Sequence, residues 1–373
     1  MNQDKRVRLL DLGRQLEPLR NDLERAAADV IRSGWYLFGE RTNRFERAFA
    51  DWLGTEHVVS CANGTDAITL ALWSLGIGEG DTVLTVPNTA FPTACAITRT
   101  GATPVFVDID PDTWLIDIGK AAAALDESTR AIVPVHLYGH AVDIPALREA
   151  IPGDVAIVED CAQGHGATLN GRLAGTFSSV AAFSFYPSKN LCALGDAGAV
   201  ATSSGEYAER ARQLRFYGQQ GRDNHLEIGF NSRIDEMQAA FLTIELEYID
   251  RWVNRRREIA GAYDAALDRN AIRRPAITEG SQPSYHLYVV RVDDRDAFRR
   301  LFDAEGIDTG IHYPVPIPYQ PAYRFLGYAP GDFPHAEALA GEIVSLPVAP
   351  HLSDAEVGRV IDACRRYTRA GGD

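Results

Sequence analysis

Apolar runs of five to seven residues, rich in valine, isoleucine and alanine, recur through the first part of the chain at positions 57–61, 82–86, 103–108, 131–137, 155–159, 180–185 and 198–202. Between many of them lie stretches with helical spacing, at 66–75, 92–99, 118–125 and 144–150. Short, continuously apolar strands alternating with helices predict a mostly parallel sheet covered on both faces. Two amphipathic helices are predicted ahead of it. One covers 17–33, with Leu19, Leu23, Ala26, Val30 and Ile31 on one stripe, and the other 41–53.

After about residue 215 the pattern changes. SRIDEMQAAFLTIELEYIDRWV, 232–253, has the spacing of one long helix capped by Asn231 or Ser232. Beyond about 270 come a strand (285–292), a helix (295–305), a proline-rich loop (313–321) and a last helix. That helix opens on Ser353-Asp-Ala-Glu356, a capping box in which serine and glutamate satisfy each other's amides. The expected division is a large α/β domain, 1–250, and a smaller α+β domain, 251–373.

Composition narrows the function. The 373 residues are 46% hydrophobic and carry a formal net charge of −14, which counts against generic nucleic-acid binding. An anionic ligand therefore needs a local basic or amide-lined site. No apolar run approaches the roughly 18 residues of a membrane span, and no signal-peptide core follows the first residues. The expectation is a cytoplasmic protein without membrane attachment. Five cysteines without paired spacing predict neither a disulfide framework nor a metal site.

Four stretches carry candidate chemistry. Cys61-Ala-Asn-Gly64-Thr65-Asp66 ends a strand, turns on glycine and opens a helix, whose free amides and Thr65 hydroxyl can cradle a phosphate. Its plainer reading is an ordinary junction capped by Thr65 or Asp66. Val158-Glu-Asp160-Cys-Ala-Gln163-Gly-His165 puts an acidic pair at a strand end, where open α/β sheets bind ligands. A carboxylate there can hold a cationic ring nitrogen, or merely cap a loop.

FSFYPSKNLCALGDAGAV, 183–200, places Lys189 among small, apolar and turn-forming residues. Lysines are mostly exposed, but a lysine shielded from water can be neutral and form a Schiff base. Asp160 and Lys189 can end different strands at one rim of the sheet. Pyridoxal phosphate needs this combination of lysine, acid and phosphate cradle. The fourth stretch pairs Gly229-Phe-Asn231-Ser-Arg233 with Ile311-His312-Tyr313-Pro-Val-Pro316, which by themselves read as capping, surface and a rigid loop.

With SGWYLFGERTNRFERAFADWLG, ANGTDA, GATPVFVDID, VHLYGH, VEDCAQGHGA, FSFYPSKNL, FNSRIDEMQAA and HYPVP in this order, the chain resembles the DegT/DnrJ/EryC1/StrS sugar aminotransferases over nearly its whole length. The resemblance implies a fold-type-I pyridoxal-phosphate transferase acting on nucleotide-linked keto-sugars, with an amino-acid donor that by analogy is L-glutamate. It implies that Lys189 joins the cofactor covalently, Asp160 pairs with its ring nitrogen and Gln163 meets its ring hydroxyl. Gly64, Thr65 and Ser184 hold the phosphate. The resemblance further implies that Asn231 reaches the phosphate of a neighbouring subunit, and hence a homodimer with shared sites. Tyr186, His312 and Tyr313 meet the sugar, and Arg222 the nucleotide pyrophosphate.

FSFYPSKNLCALGDAGA and NSRIDEMQAA are most similar to the branch aminating C3 of a dTDP-linked 3-keto-6-deoxyhexose. Many C4 enzymes instead carry Gly-Glu-Gly-Gly where this chain has Gly195-Asp196-Ala197-Gly198. The family's ring-stacking aromatic falls at Ala90, with Phe91 one place later. Relatives tend to carry Lys-Tyr at Arg222-Asp223. A UDP-linked 3-keto sugar and amination at C4 are the alternatives within the family. Sugar deoxygenation is disfavoured by Lys189, which is histidine in that branch. A non-catalytic α/β protein holding a phosphorylated ligand is the alternative of another class.

Overall fold

A computed structural model describes residues 6–370. Helices α1 (Arg20–Ser33) and α2 (Glu40–Leu53) lead into a seven-stranded sheet. Its strands are β1 (His57–Cys61), β2 (Thr82–Thr85), β3 (Thr103–Phe106), β4 (Thr129–Ile132), β5 (Ala156–Asp160), β6 (Val180–Ser184) and β7 (Gly198–Thr202). Their order is β1-β7-β6-β5-β4-β2-β3, and only β7 runs antiparallel to its neighbours. Helices α3 (Gly64–Ser74), α4 (Phe91–Arg99), α5 (Ile118–Ala123) and α6 (Ile144–Ala150) connect the first five of them, and α7 (Gly205–Leu214) follows the last. The predicted mostly parallel, helix-flanked sheet is thus the observed one. Its central strands are mostly apolar because both faces are covered: β6 and β7 are buried at every position.

The 17–33 helix begins with a 3-10 turn over Glu17–Leu19, and Leu19, Leu23 and Val30 are buried. Ile31 leaves the expected stripe and is 61% exposed. The 131–137 strand stops at Ile132, since Pro134 has no amide to continue a ladder.

The expected 232–253 helix is two: α8 (Glu236–Leu246) and α9 (Ile249–Ala266). Ser232 is engaged elsewhere. Its hydroxyl donates to Asp66 Oδ2 at 2.6 Å and accepts the Ala62 amide at 3.1 Å, while its own amide donates to the Arg215 carbonyl at 2.9 Å. Asn231 bridges Phe216 in extended conformation. Tertiary bonds therefore keep 231–235 out of the helix. Glu236 then serves α2, whose first turn gives its carboxylate the amides of Gly39, Arg41 and Thr42 at 2.9–3.0 Å.

Beyond α9, β8 (Tyr288–Arg291) and β9 (Ile343–Leu346) pair antiparallel and pack with α10 (Arg295–Ala304) and α11 (Asp354–Ala370). Phe298, Phe302, Val290, Val344 and Val360 fill this second core, joined by Val7 from the other end of the chain. The Ser353 amide donates to Glu356 at 2.8 Å and the Glu356 amide to Ser353 Oγ at 3.3 Å, closing the capping box.

Candidate active site

The carboxyl ends of β1, β5 and β6 open on one cavity of about 850 Å³. At the first of these ends Asn63 takes an extended conformation and caps α3. Its side-chain oxygen accepts the Asp66 amide at 2.9 Å and its carbonyl the Ala67 amide at 3.0 Å. The cap is therefore Asn63 rather than Thr65 or Asp66. The two preceding amides, of Gly64 and Thr65, stand at the cavity wall with Ser184 at the end of β6. A Cβ on Gly64 would lie 2.4 Å from Ser184 Cβ. Glycine thus lets the helix N-terminus come up beside a serine hydroxyl, an arrangement made for an anion.

Asp160 and Glu159 end β5 and point to opposite faces. Glu159 turns away from the cavity and is wholly buried. It accepts the amides of Gly175, Phe177 and Ser178 at 2.8–2.9 Å and faces His136 Nε2 at 3.0 Å, while His136 Nδ1 accepts the Val142 amide. Burial acts to raise this carboxyl, but His136 and the amides hold it below its ordinary value. His136, Glu159 and Cys161 sit close enough for a cation, yet both nitrogens of His136 and both oxygens of Glu159 are already hydrogen-bonded, so the pair is a structural node.

Asp160 lines the cavity and is 2% exposed. It accepts the Ala162 amide at 3.0 Å and the Thr93 hydroxyl at 2.8 Å. Burial raises its carboxyl, opposed by those two bonds and by the charge of Lys189. Lys189 follows β6 on a turn closed by its amide to the Tyr186 carbonyl at 2.8 Å. Desolvation pulls its amine down to about 8, against the opposing pull of Asp160.

A neutral amine is thus accessible near physiological pH. In the cofactor-free protein, acetylation of Lys189 by acetic anhydride is expected to rise with pH and reach half its maximum near pH 8. The chain has only three lysines, Lys5, Lys120 and Lys189, so peptide mass spectrometry resolves each. A midpoint at the ordinary lysine value of about 10.4 would contradict the shift.

Gln163, Tyr186, His312 and Tyr313 line the same cavity, as do Thr89, Ala90 and Phe91. Gln163 accepts the Tyr138 amide at 2.6 Å and donates to the Tyr313 hydroxyl at 3.3 Å. His312 Nδ1 lies 2.8 Å from Ser345 Oγ. Burial, then Lys189, holds the His312 ring near 4, so it is neutral at pH 7. Phe91 opens α4 half-exposed, its ring 5.4 Å from Tyr323. Ten of the twelve expected site residues thus line the cavity; Arg222 and Asn231 do not, both are exposed, and Arg222 lies 3.5 Å from Asp223.

Three wall residues escaped the sequence reading. Thr93 orients Asp160, and no motif joined the two. Arg99 meets Asp66 at 2.6 Å. Arg256, within an Arg-Arg-Arg run that reads as a solvated face, also lines the cavity.

The residues pass a test of fit for pyridoxal phosphate: the glycine-enforced cradle, an acid with negligible exposure and an amine of lowered basicity face one space. Comparison with known proteins agrees. The model of the DegT/DnrJ/EryC1/StrS aminotransferase family matches residues 18–365. The chain is 46% identical over 366 residues to dTDP-3-amino-3,4,6-trideoxy-alpha-D-glucose transaminase of Streptomyces venezuelae, covering 97% of this chain and 96% of that one. The crystal structure of S. venezuelae DesV superposes with a TM-score of 0.94 at 45% identity, over 97% of this chain and 98% of that one. NtdA of Bacillus subtilis, solved with bound cofactor PMP, gives a TM-score of 0.91 at 28% identity over 98% and 85% of the two chains. Cradle, acid, lysine and full-length similarity lead to one conclusion: this chain belongs to the DegT/DnrJ/EryC1/StrS aminotransferase family.

Proposed function

We propose that the protein transfers an amino group from L-glutamate to C3 of a dTDP-linked 3-keto-6-deoxyhexose, with pyridoxal phosphate as cofactor. The observation that carries this reading is the convergence of Lys189, Asp160 and the Gly64–Ser184 cradle on one cavity, in a chain 46% identical to a transaminase named for a dTDP-3-amino sugar. Bound there, the cofactor supplies an aldehyde that captures amines and a ring that takes up negative charge. The Gly64 and Thr65 amides and the Ser184 hydroxyl hold its phosphate. Asp160 keeps a proton on the ring nitrogen through its negative charge. Lys189 Nζ, neutral when released, removes the proton from the donor's α-carbon and returns one in the reverse sense during sugar amination. Gln163 would meet the ring hydroxyl, and Phe91, on the cavity wall, would border the bound cofactor. The setting is cytoplasmic; among the described residues no helix is long and apolar enough to cross a membrane.

Colour tests the aminotransferase reading against a protein that only holds a phosphorylated ligand. The aldehyde-loaded protein should be yellow, and glutamate should bleach the band; a band unmoved by any amino acid would reject the reading.

His312 and Tyr313 sit in a proline-flanked loop that fixes their polar tips, which suits presentation of a sugar ketone; Tyr186, at the mouth of the cavity, completes that side. His312→Ala and Tyr313→Phe are expected to slow the sugar half-reaction roughly 10- to 100-fold, the effect of losing one desolvated hydrogen bond. The glutamate half-reaction should change far less. Single-turnover rates for both decide, and equal losses would reduce the loop to a packing element.

Because Asn231 and Arg222 stand outside their own chain's cavity, the reading assigns them to the cavity of a second copy, Asn231 at the phosphate and Arg222 at the nucleotide pyrophosphate. Lys189→Ala and Asn231→Ala subunits, each nearly inactive, should recover roughly a quarter of wild-type activity when mixed equally and exchanged at random in a two-fold dimer. No recovery in confirmed mixed dimers would place both residues in one chain's site.

A further inference from the structure

The middle arginine of Arg255-Arg256-Arg257 faces inward. On α9, Trp252, Val253, Arg256, Ile259, Ala260 and Tyr263 are buried, a spacing that makes one helical stripe. Its neighbours turn elsewhere. Arg255 pairs with Asp354 at 2.6 Å, and Arg257 donates to the Gly166 and Pro283 carbonyls at 2.8 and 2.9 Å. Arg256 is only 3% exposed, yet no carboxylate among the described residues acts on its charge. Its Nη1 is 3.4 Å from the carbonyls of Tyr285, His286 and Val348, and its Nε has no partner.

A buried cation with long neutral contacts and an idle N–H is poorly compensated. Burial accordingly pulls the guanidinium down to about 10. The acid on the neighbouring helix does not remedy this: burial pushes Glu245 up to about 8, so it is largely protonated at pH 7, and the Cys192 thiol bonds it at 3.4 Å. Arg256 nevertheless borders the cavity that holds Lys189, alongside His286, His312, Leu346 and Val348. The other cations on that wall are matched, Arg99 by Asp66 at 2.6 Å and Lys189 by the nearby charge of Asp160.

We propose that Arg256 binds a carboxylate of the amino-acid donor. The inference rests on the aminotransferase reading above and adds the recognition element it lacked. A guanidinium presents parallel N–H groups that match a carboxylate's two oxygens. The incoming carboxylate would supply the missing negative charge. The leaving 2-oxo acid carries the same group, so one residue serves both.

The test uses holoenzyme and glutarate, a dicarboxylate with no amine to react. Arg256→Met should weaken glutarate binding, measured by titration calorimetry, roughly 10- to 100-fold, and raise the KM for L-glutamate by a similar factor. The single-turnover sugar half-reaction and the affinity for dTDP should stay within about threefold of wild type. Arg256→Lys keeps charge without the fork and should fall between; should Arg256→Met not fold, Arg256→Lys is judged by the same split. Unchanged glutarate affinity in a folded variant, equal loss in both half-reactions, or loss of dTDP binding instead would overturn the assignment. If the wild-type protein itself is not bleached by glutamate, the aminotransferase reading fails first. If it is bleached and the variants keep its glutarate affinity, only the role of Arg256 fails.

Discussion

Lys189→Ala is expected to lower transamination by at least about 10⁴-fold, since one residue supplies both the covalent anchor and the proton-transfer base. The fold should survive. The amine sits on a turn at the cavity wall, and desolvation disfavours its charged form, so truncation removes an unfavourable charge rather than a packing element. Circular dichroism and thermal unfolding should match the parent closely, while the absorption band of covalently held cofactor disappears. Turnover at a tenth of the parent rate, with full colour, would move the chemistry to another residue.

Asp160→Asn should lower the rate roughly 100- to 1000-fold, the scale seen when one preorganised electrostatic contact is removed. The amide keeps the shape. Its oxygen can accept the Ala162 amide that Asp160 accepts at 3.0 Å, and its nitrogen can face the Thr93 hydroxyl at the 2.8 Å position. Only the negative charge goes, and with it the reason for a ring nitrogen to keep its proton in a site from which water is largely excluded. Cofactor should still bind, with a shifted absorption maximum. Parent-like rate and spectrum would leave Asp160 a structural residue.

The sheet was legible because each of β1 to β7 carries an apolar stretch between helical patterns, a consequence of burial on both faces that survives in one-dimensional order. Ten of the twelve expected site residues meet in one cavity: eight stand at strand ends or in the segments after them, where the chain leaves the large sheet, and His312 and Tyr313 come from the loop beyond α10. Tertiary bonding was less visible. Ser232 reads as a helix cap until Asp66 and Ala62 claim its hydroxyl. Ile31 fits an apolar stripe yet faces outward. Thr93 has no sequence signal tying it to Asp160. Arg256 did leave a trace: its spacing from Trp252, Ile259 and Tyr263 puts it on the apolar stripe of α9, hidden by the charged residues on either side.

Regiochemistry tests the central claim most directly. Holoenzyme should be given L-glutamate with a dTDP-linked 3-keto-6-deoxyhexose, and separately with its 4-keto isomer, and the carbon that receives nitrogen identified by NMR. The account predicts an amino group at C3 from the first substrate and little or no product from the second. Amination at C4, or turnover of neither sugar by a protein whose colour glutamate has bleached, would contradict it.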